Sequence, residues 1–386
     1  MVNKIHKIMR NNVRFFLDHA YDDRNKVFYS EVDNGGTVQN TNIHIIGLSR
    51  LVYGLMEASS VMHESDEEMR KKAYEAVMFI KKYMIGKDKY GPYFIPTVNE
   101  KGEPHLHDGL NIWEQSYGFN GLVTYYEKTH NPDILEMIHE LFDAYVKRFH
   151  DDEKGGFVFN YSLDKDKDYD SKCLQTIMYP VTSFLGRLYL VDVINQEKYE
   201  PWLKEAYKLG HKYLYDFRNN TIKVTLDRHF NDVGDKEVLP GHFFQLAWFF
   251  MSSKKYKALL GDKNLYAYGY YIYLETLKKP WMKEALTKGL PESINPETGE
   301  AASSKRIWWE HSEWINAMCH LNIVPFDKVR QVLQLFEKMF VDYDKGCEFF
   351  AVNEQGEPED MLKGDLGKSS YHTIEMCKFI LDRLSS

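Results

Sequence analysis

The sequence predicts an all-helical fold, an (α/α)6 toroid of about twelve helices joined by short β-hairpins. Apolar residues recur at helical spacing in about twelve segments, and short runs that alternate around a central turn separate them. The succession of helix, hairpin and helix returns about every 60 residues. One helix pair cannot bury its inner face alone, whereas six pairs in a ring share a continuous core. We therefore expect a single domain over residues 1–386.

The helices are predicted from apolar residues at the spacings i, i+3 and i+4. Their ranges are 4–19, 41–58, 65–84, 109–129, 132–149, 173–193, 197–215, 241–253, 263–277, 306–321, 326–341 and 369–384. The segment 279–305 is the least periodic and the richest in turn formers. It is predicted to be a long loop over one face, either a passive surface loop or a lid.

Four runs between the helices are predicted to be β-hairpins. They are KVFYSEVDNGGTV (26–38), GPYFIPTVNEKGEP (91–104), GGFVFNYSLDKD (155–166) and GCEFFAVNEQGEP (346–358). Each alternates apolar and polar residues and carries Gly, Asn or Asp at its turn. A predicted helix begins near Asn42 after the first run, and another begins near Ser370 after the last run.

Composition is typical of a globular protein with a large core. Hydrophobic residues make up 44% and charged residues 27%, which allows a large core. The net charge of -8, without a basic run, disfavours nucleic acid and anionic membranes as partners. No window of 18 apolar residues and no signal-peptide core is present. Because Cys173, Cys319, Cys347 and Cys377 show no CxxC spacing, we expect neither disulfides nor zinc, and a cytoplasmic location.

Two histidines fall at equivalent helix starts. Pro240 and Gly241 precede the helix that His242 opens, and the positive end of a helix dipole favours a neutral imidazole. His372 opens the last helix, where Glu375 lies three residues on, and a neighbouring carboxylate raises the pKa of an imidazole. Taken alone, either histidine would be unremarkable as a core or capping residue. Together they form a plausible pair of base and acid.

Aromatic and acidic residues suited to holding a polyol occur in two further runs. RIWWEHSEW (306–314) places Glu313 one helical turn after Trp309, so an indole and a carboxylate can face one sugar. NIWEQSYGFNG (111–121) contributes Trp113 and Gln115 near a helix start. A solvated carboxylate beside core tryptophans is the alternative reading.

These motifs, in this order, resemble the N-acylglucosamine 2-epimerase superfamily, which includes cellobiose 2-epimerases and mannose isomerases. The likeness rests on Gly241 with His242, on Trp308, Trp309 and Glu313, and on Tyr371 with His372. It implies the toroid, no metal or organic cofactor, and catalysis by His242 and His372. The residues expected to bind substrate are Trp113, Gln115, Gln175, Tyr179, Gln245, Trp308, Trp309, Glu313, Tyr371 and Glu375.

The sequence also departs from the pattern of this superfamily. Gln175 and Tyr179 stand where relatives carry Asn and a third His. The substrate-binding Arg expected near the start of the second helix is replaced within TNIHII (41–46), with His44 as a candidate substitute. Gln245 replaces an acid, and Glu375 replaces an Arg. We expect the sugar to be atypical.

The resemblance implies an isomerase or 2-epimerase of an open-chain aldose or ketose, working through an enediol. A small sugar is the expected partner, and the chain is expected to be a monomer or homodimer. One alternative is a glycoside hydrolase on the same toroid, with its two carboxylates among Asp108, Glu114, Glu310 and Glu313. The other is a carbohydrate-binding relative that has lost activity.

Overall fold

The computed structural model describes residues 1–62, 66–261 and 264–385, and it is built from twelve long helices within those ranges. These are α1 (Val2–His19), α2 (Ile45–Ser59), α3 (Asp66–Tyr83), α4 (Ile112–Thr129), α5 (Pro132–Phe149), α6 (Leu174–Pro180, a π-helical segment Val181–Leu185, and Gly186–Val191), α7 (Gln196–Tyr213), α8 (Pro240–Met251), α9 (Leu265–Leu277), α10 (Trp308–Cys319), α11 (Phe326–Phe340) and α12 (Tyr371–Ser385). Each coincides with a predicted helix to within a few residues. The predicted starts at 65 and 263 lie outside the described residues.

The helices alternate between two layers. Even-numbered helices are buried along most of their length; all residues of α2 and of α8 are buried, and α8 is apolar on nearly every side. Odd-numbered helices such as α1 and α11 bury one face and present charged residues on the other. A helix that is apolar on all sides is stable only inside the molecule. The even helices therefore form the inner layer.

Helix contacts close the inner layer into a ring. Helix α2 packs on α4 and α4 on α6, while α8, α10 and α12 pack in sequence and α12 returns to α2. Each of α3, α5, α7, α9 and α11 packs on the inner helix before it, and α1 packs on α12. The predicted (α/α)6 toroid is confirmed.

Thirteen short strands occur in the described ranges. They are β1 (Tyr21–Asp22), β2 (Val27–Phe28), β3 (Ile43–His44), β4 (Ile85–Asp88), β5 (Gly91–Phe94), β6 (Thr97–Val98), β7 (Gly109–Asn111), β8 (Asn160–Ser162), β9 (Asp166–Lys167), β10 (Tyr215–Asp216), β11 (Thr221–Ile222), β12 (Arg306–Ile307) and β13 (Ala351–Val352). The segment before each inner helix pairs antiparallel with the hairpin of the next unit. These pairs are Ile43 with Val98, Leu110 with Tyr161, Cys173 with Thr225, Val238 with Ile294, Ile307 with Ala351 and, closing the circle, Gly364 with Val32.

All four predicted hairpins are present, and two more complete the set. The predicted ones are closed by the pairs Val32 with Val38, Val98 with Pro104, Tyr161 with Lys167 and Val352 with Pro358. The additional ones pair Leu226 with Asp232 and Ile294 with Ala301. Their turns begin at Asp227 and Asn295, whose side chains accept a backbone N–H two residues on, as Asp33 does in the first hairpin.

The segment 279–305 is a long connection, as predicted, but it is more structured than a plain loop. The segment contains short helical turns at Pro280–Met282 and Ala285–Lys288, followed by the hairpin of the fifth unit. Its turn-forming residues build that hairpin. In the described ranges no single helix is long and apolar enough to cross a bilayer, and one pair bent by 99°, Leu174–Val191 with Val193–Tyr213, meets those criteria by length and composition alone.

Candidate active site

A cavity of about 400 Å³ opens at the end of the toroid where the inner helices begin. All six inner helices contribute to its wall, because the ring brings their first turns together around one axis. The lining side chains are Arg50, Trp113, Tyr117, Phe159, Gln175, Tyr179, Leu239, His242, Gln245, Trp308, Trp309, Phe350, Asp365, Leu366, Lys368 and His372, with Gly367. The volume falls within the roughly 300–1,000 Å³ of small-molecule sites.

His242 lies in the wall of this cavity at the first turn of α8. Pro240 occupies the first turn, where its missing N–H costs nothing, and Leu239 precedes it in an extended conformation. Burial lowers the pKa of His242 to about 4, and the charge of Asp235 opposes this only weakly. Its Nδ1 has no hydrogen-bond partner. The imidazole is therefore neutral at pH 7.

His372 lines the same cavity and is oriented by Glu313. Its Nδ1 lies 3.0 Å from the Oε1 of Glu313. The expected contact with Glu375 is wrong, because that side chain turns away and accepts a hydrogen bond from the hydroxyl of Tyr371 at 3.0 Å. Burial, assisted by the charge of Arg50, holds the pKa of His372 well below its ordinary value. The expectation of a protonated His372 is therefore also wrong.

Glu313 is completely buried between His372 and α8. Its second oxygen accepts a hydrogen bond from the Nε1 of Trp248. Burial raises the pKa of Glu313 to about 7, and burial together with the charge of Glu313 raises the pKa of Glu375 to about 8. Both carboxyls therefore hold their protons to a higher pH than an exposed glutamate does.

Trp309 lies against both histidines. Its ring centroid is 5.4 Å from that of His242 and 5.7 Å from that of His372. Trp308 stands next to it, with its ring 5.8 Å from His372 and 4.8 Å from Phe350. The predicted pair of histidines is thus brought to one cavity from two helices that are far apart in sequence.

Arg50 of the second helix faces the cavity, although an arginine was expected to be replaced near the start of that helix. It projects from the second turn of α2 into the cavity, with its Cζ 3.8 Å from the ring centre of Tyr117. One guanidinium nitrogen donates to the carbonyl of Gly367 at 2.5 Å, and its Nε has no partner. His44, the proposed substitute, contacts Thr97 and Glu31 on the hairpins instead. A sequence signal for Arg50 exists, because it is the one charged residue in the mostly apolar helix start IIGLSRLVYG (45–54).

The remaining predicted residues divide into two groups. Those in the cavity wall are Trp113, Gln175, Tyr179, Gln245, Trp308 and Trp309. Gln115 lies outside the wall, because it exchanges hydrogen bonds of 2.9 and 2.7 Å with the backbone of Phe94 and so anchors a hairpin. Tyr371 is buried behind the cavity against Tyr117 and Tyr53. Glu375 faces a second cavity of about 210 Å³ towards the other end of the inner helices.

None of the four carboxylates considered for a glycoside hydrolase is among the residues that line this cavity. Asp108 and Glu114 line a separate cavity of about 680 Å³ beside the β7–β8 pair. Glu310 and Glu313 are buried and bonded to protein groups. Asp365 is the one carboxylate among the described lining residues, and it accepts the backbone N–H groups of Gly367 and Lys368. Two carboxyls across a glycosidic bond are therefore not available here.

Comparison with known proteins points to one family and one fold. The sequence profile of the N-acylglucosamine 2-epimerase (GlcNAc 2-epimerase) family matches residues 27–376. A search of curated proteins found no match.

Solved structures share the whole architecture. A cellobiose 2-epimerase from Bacillus thermoamylovorans is 19% identical, with a TM-score of 0.85 over 99% of each chain. A D-mannose isomerase is 15% identical, with a TM-score of 0.83 over 98% of this chain and 97% of that one. A family 76 glycoside hydrolase from Bacteroides thetaiotaomicron is 12% identical and less similar, with a TM-score of 0.71 over 99% of this chain and 100% of that one. At these identities the likeness is one of fold.

Proposed function

Because the chain belongs to the N-acylglucosamine 2-epimerase family, we propose that it is a carbohydrate isomerase that interconverts an open-chain aldose and ketose. The observation that carries this proposal is the presence of two neutral histidines in one aromatic cavity, with His372 held by a buried carboxyl. Proton abstraction beside a carbonyl needs a base within hydrogen-bond reach of the carbon and donors for the developing oxyanion.

His372 is the proposed base. A neutral ring that donates its Nδ1–H to Glu313 keeps Nε2 as an acceptor, and no described protein group bonds to Nε2. When Nε2 takes the proton from C2 of an aldose, the ring becomes an imidazolium. Ionised Glu313 then stabilises the new charge through a charge-assisted hydrogen bond. The same nitrogen can return the proton to C1, which yields the ketose.

His242 is the proposed partner of the sugar oxygens. With a pKa lowered to about 4, it works as a neutral imidazole, which can donate its N–H to a carbonyl oxygen and pass a proton between O1 and O2. A neutral imidazole is a weak acid towards carbon. This favours 1,2-isomerisation over 2-epimerisation, because inversion at C2 needs a second acid facing the opposite side.

Arg50 is the proposed stabiliser of the enediolate. A guanidinium is protonated at every physiological pH, and that of Arg50 lies over the ring of Tyr117 with its Cζ 3.8 Å from the ring centre. Trp113, Trp308 and Trp309 supply flat apolar surfaces for the carbon face of the sugar. Gln175, Tyr179 and Gln245 provide neutral hydrogen-bonding groups for hydroxyls. Such a wall fits an uncharged hexose.

One experiment separates the possible outcomes. The protein is incubated in D2O with mannose, glucose, fructose and cellobiose, and deuterium at C1 and C2 is followed by NMR. Conversion of an aldose to its ketose with deuterium incorporation supports the proposal. Mannose–glucose interconversion without a ketose would instead establish a 2-epimerase. Unchanged sugars without deuterium at either carbon would refute both reactions.

The histidine assignments are tested with matched variants. His242→Ala and His372→Ala are each expected to abolish isomerisation. His105 is an exposed histidine on a hairpin outside the cavity, and His105→Ala is expected to leave isomerisation unchanged. Helical circular dichroism should be the same for all three. Full activity in either cavity variant would remove that histidine from the mechanism.

A further inference from the structure

Glu310 is a buried carboxyl that the proposed reaction does not use. Its side chain is 1% exposed on the first turn of α10, between Trp309 and His311 in sequence. Its Oε2 accepts the backbone N–H of Gly241 at 2.9 Å, and its Oε1 has no partner. Burial holds the pKa of Glu310 well above its ordinary value. A neutral carboxyl is thus bonded to the residue that precedes His242.

The contact between α8 and α10 at this point is unusually close. A Cβ on Gly241 would lie 2.6 Å from the Cζ3 of Trp309 and 2.8 Å from the Cγ of Glu310. Only glycine leaves room for both side chains, and its N–H is one of the free donors at a helix start. Glu310 satisfies that donor from a neighbouring helix. The first turn of α8 is therefore fixed against α10 by one hydrogen bond and by van der Waals contact.

We infer that Glu310 is a positioning residue for His242, which it acts on by fixing the first turn of α8 at Gly241. This inference rests on the proposed function, in which His242 must lie at a set place relative to the substrate. Helix α10 then holds both histidines. Glu313 bonds to His372 directly, Glu310 holds the residue before His242, and Trp309 contacts both rings.

The inference predicts which chemical features of Glu310 matter. Because the carboxyl is neutral, Glu310→Gln keeps the size, the charge and the carbonyl acceptor for the N–H of Gly241. Glu310→Leu keeps the approximate size and removes the acceptor. A catalytic acid would instead be lost in both variants, since an amide cannot take over as a proton donor.

The first test needs no substrate. Carbon–proton NMR of the histidine Cε1–H groups is recorded for the wild type, Glu310→Gln and Glu310→Leu. The resonance of His242, which lies on the Trp309 ring, should move in Glu310→Leu and stay in place in Glu310→Gln, while that of His372 stays in both. Glu114→Leu removes another largely buried carboxyl whose pKa is raised to about 7, and it should move neither resonance. An unmoved His242 resonance in Glu310→Leu overturns the inference, whether or not the protein isomerises any sugar.

The second test is kinetic and uses the sugar found active in D2O. A displacement of about 1 Å at a reacting group lowers the rate by about 100-fold, so kcat of Glu310→Leu should fall about 10- to 100-fold. Its KM and that of the wild type should agree within about threefold, and Glu310→Gln should keep near-normal kcat. Loss of activity in Glu310→Gln would overturn positioning and make Glu310 an acid.

A variant on the facing helix keeps the inference testable if Glu310→Leu does not fold. Gly241→Ala pushes the same turn away from Trp309 with one methyl group. It should lower kcat and shift the His242 resonance in the same way. Normal kcat together with an unshifted His242 in Gly241→Ala would refute the role of this contact.

Discussion

Replacing Glu313 by Gln removes the charge that stabilises a protonated His372. The side chain keeps its shape and a carbonyl acceptor, so the 3.0 Å contact with Nδ1 can persist while the charge-assisted part of the bond is lost. Hydrogen bonds to charged groups contribute about 1.5–3 kcal/mol, compared with about 1 kcal/mol for neutral pairs. The imidazolium exists only after proton abstraction. The loss therefore falls on the transition state and hardly on the bound substrate.

The resulting difference of about 0.5–2 kcal/mol in the barrier lowers kcat roughly 2- to 30-fold, because each 1.36 kcal/mol is a factor of ten. KM should remain within about twofold. The assay is steady-state isomerisation of the active sugar together with the rate of deuterium incorporation at C2, and both rates should fall equally. The thermal midpoint should not fall, since Glu313→Gln also removes a carboxyl whose ionisation is opposed by burial.

The reasoning would be refuted by a Glu313→Gln enzyme with wild-type kcat, or by one that loses only substrate affinity. Either result would mean that no charge develops on His372 in the rate-limiting step. Glu114→Gln is the matched control, because that carboxyl also has a pKa raised to about 7 yet faces the neighbouring cavity. It should leave kcat unchanged.

Three further outcomes are expected. Glu313 must be ionised to stabilise the imidazolium and its pKa is about 7, so kcat/KM should decline as the pH falls below about 7. The Glu313→Gln variant should lack this decline. If the decline is unaltered in the variant, it belongs to the titration of another group. Arg50→Lys should lower kcat about 10-fold or more, because an ammonium lacks the planar group that stacks on an aromatic ring and cannot donate two parallel hydrogen bonds. Steady-state kinetics measures this effect, and a kcat equal to that of the wild type would contradict it. Lys172→Met, which breaks the buried ion pair with Asp151 outside the cavity wall, should lower the unfolding free energy in urea by about 3 kcal/mol without changing kcat, whereas a loss of activity at full stability would contradict a structural role.

Local patterns in the sequence were enough for the fold and for part of the site. The period of apolar residues marks helices regardless of what they pack on, and Asp or Asn after an apolar residue marks each hairpin turn. The two hairpins that were not predicted, at Asp227 and Asn295, carry this same signal. His242 and His372 could be singled out because each opens an inner helix, and the ring places all such helix starts around one cavity.

What the sequence by itself determined is therefore the order of helices and hairpins, and with it the end of the toroid where the two candidate histidines lie. Only the tertiary structure decided which side chains meet across the ring. Glu375 is near His372 along its helix, yet burial turns it towards Tyr371, and Glu313 from α10 takes its place. Arg50 reaches the cavity because α2 packs beside α4, where Tyr117 receives its guanidinium. Such contacts depend on the packing of different helices, and spacing along one helix cannot specify them.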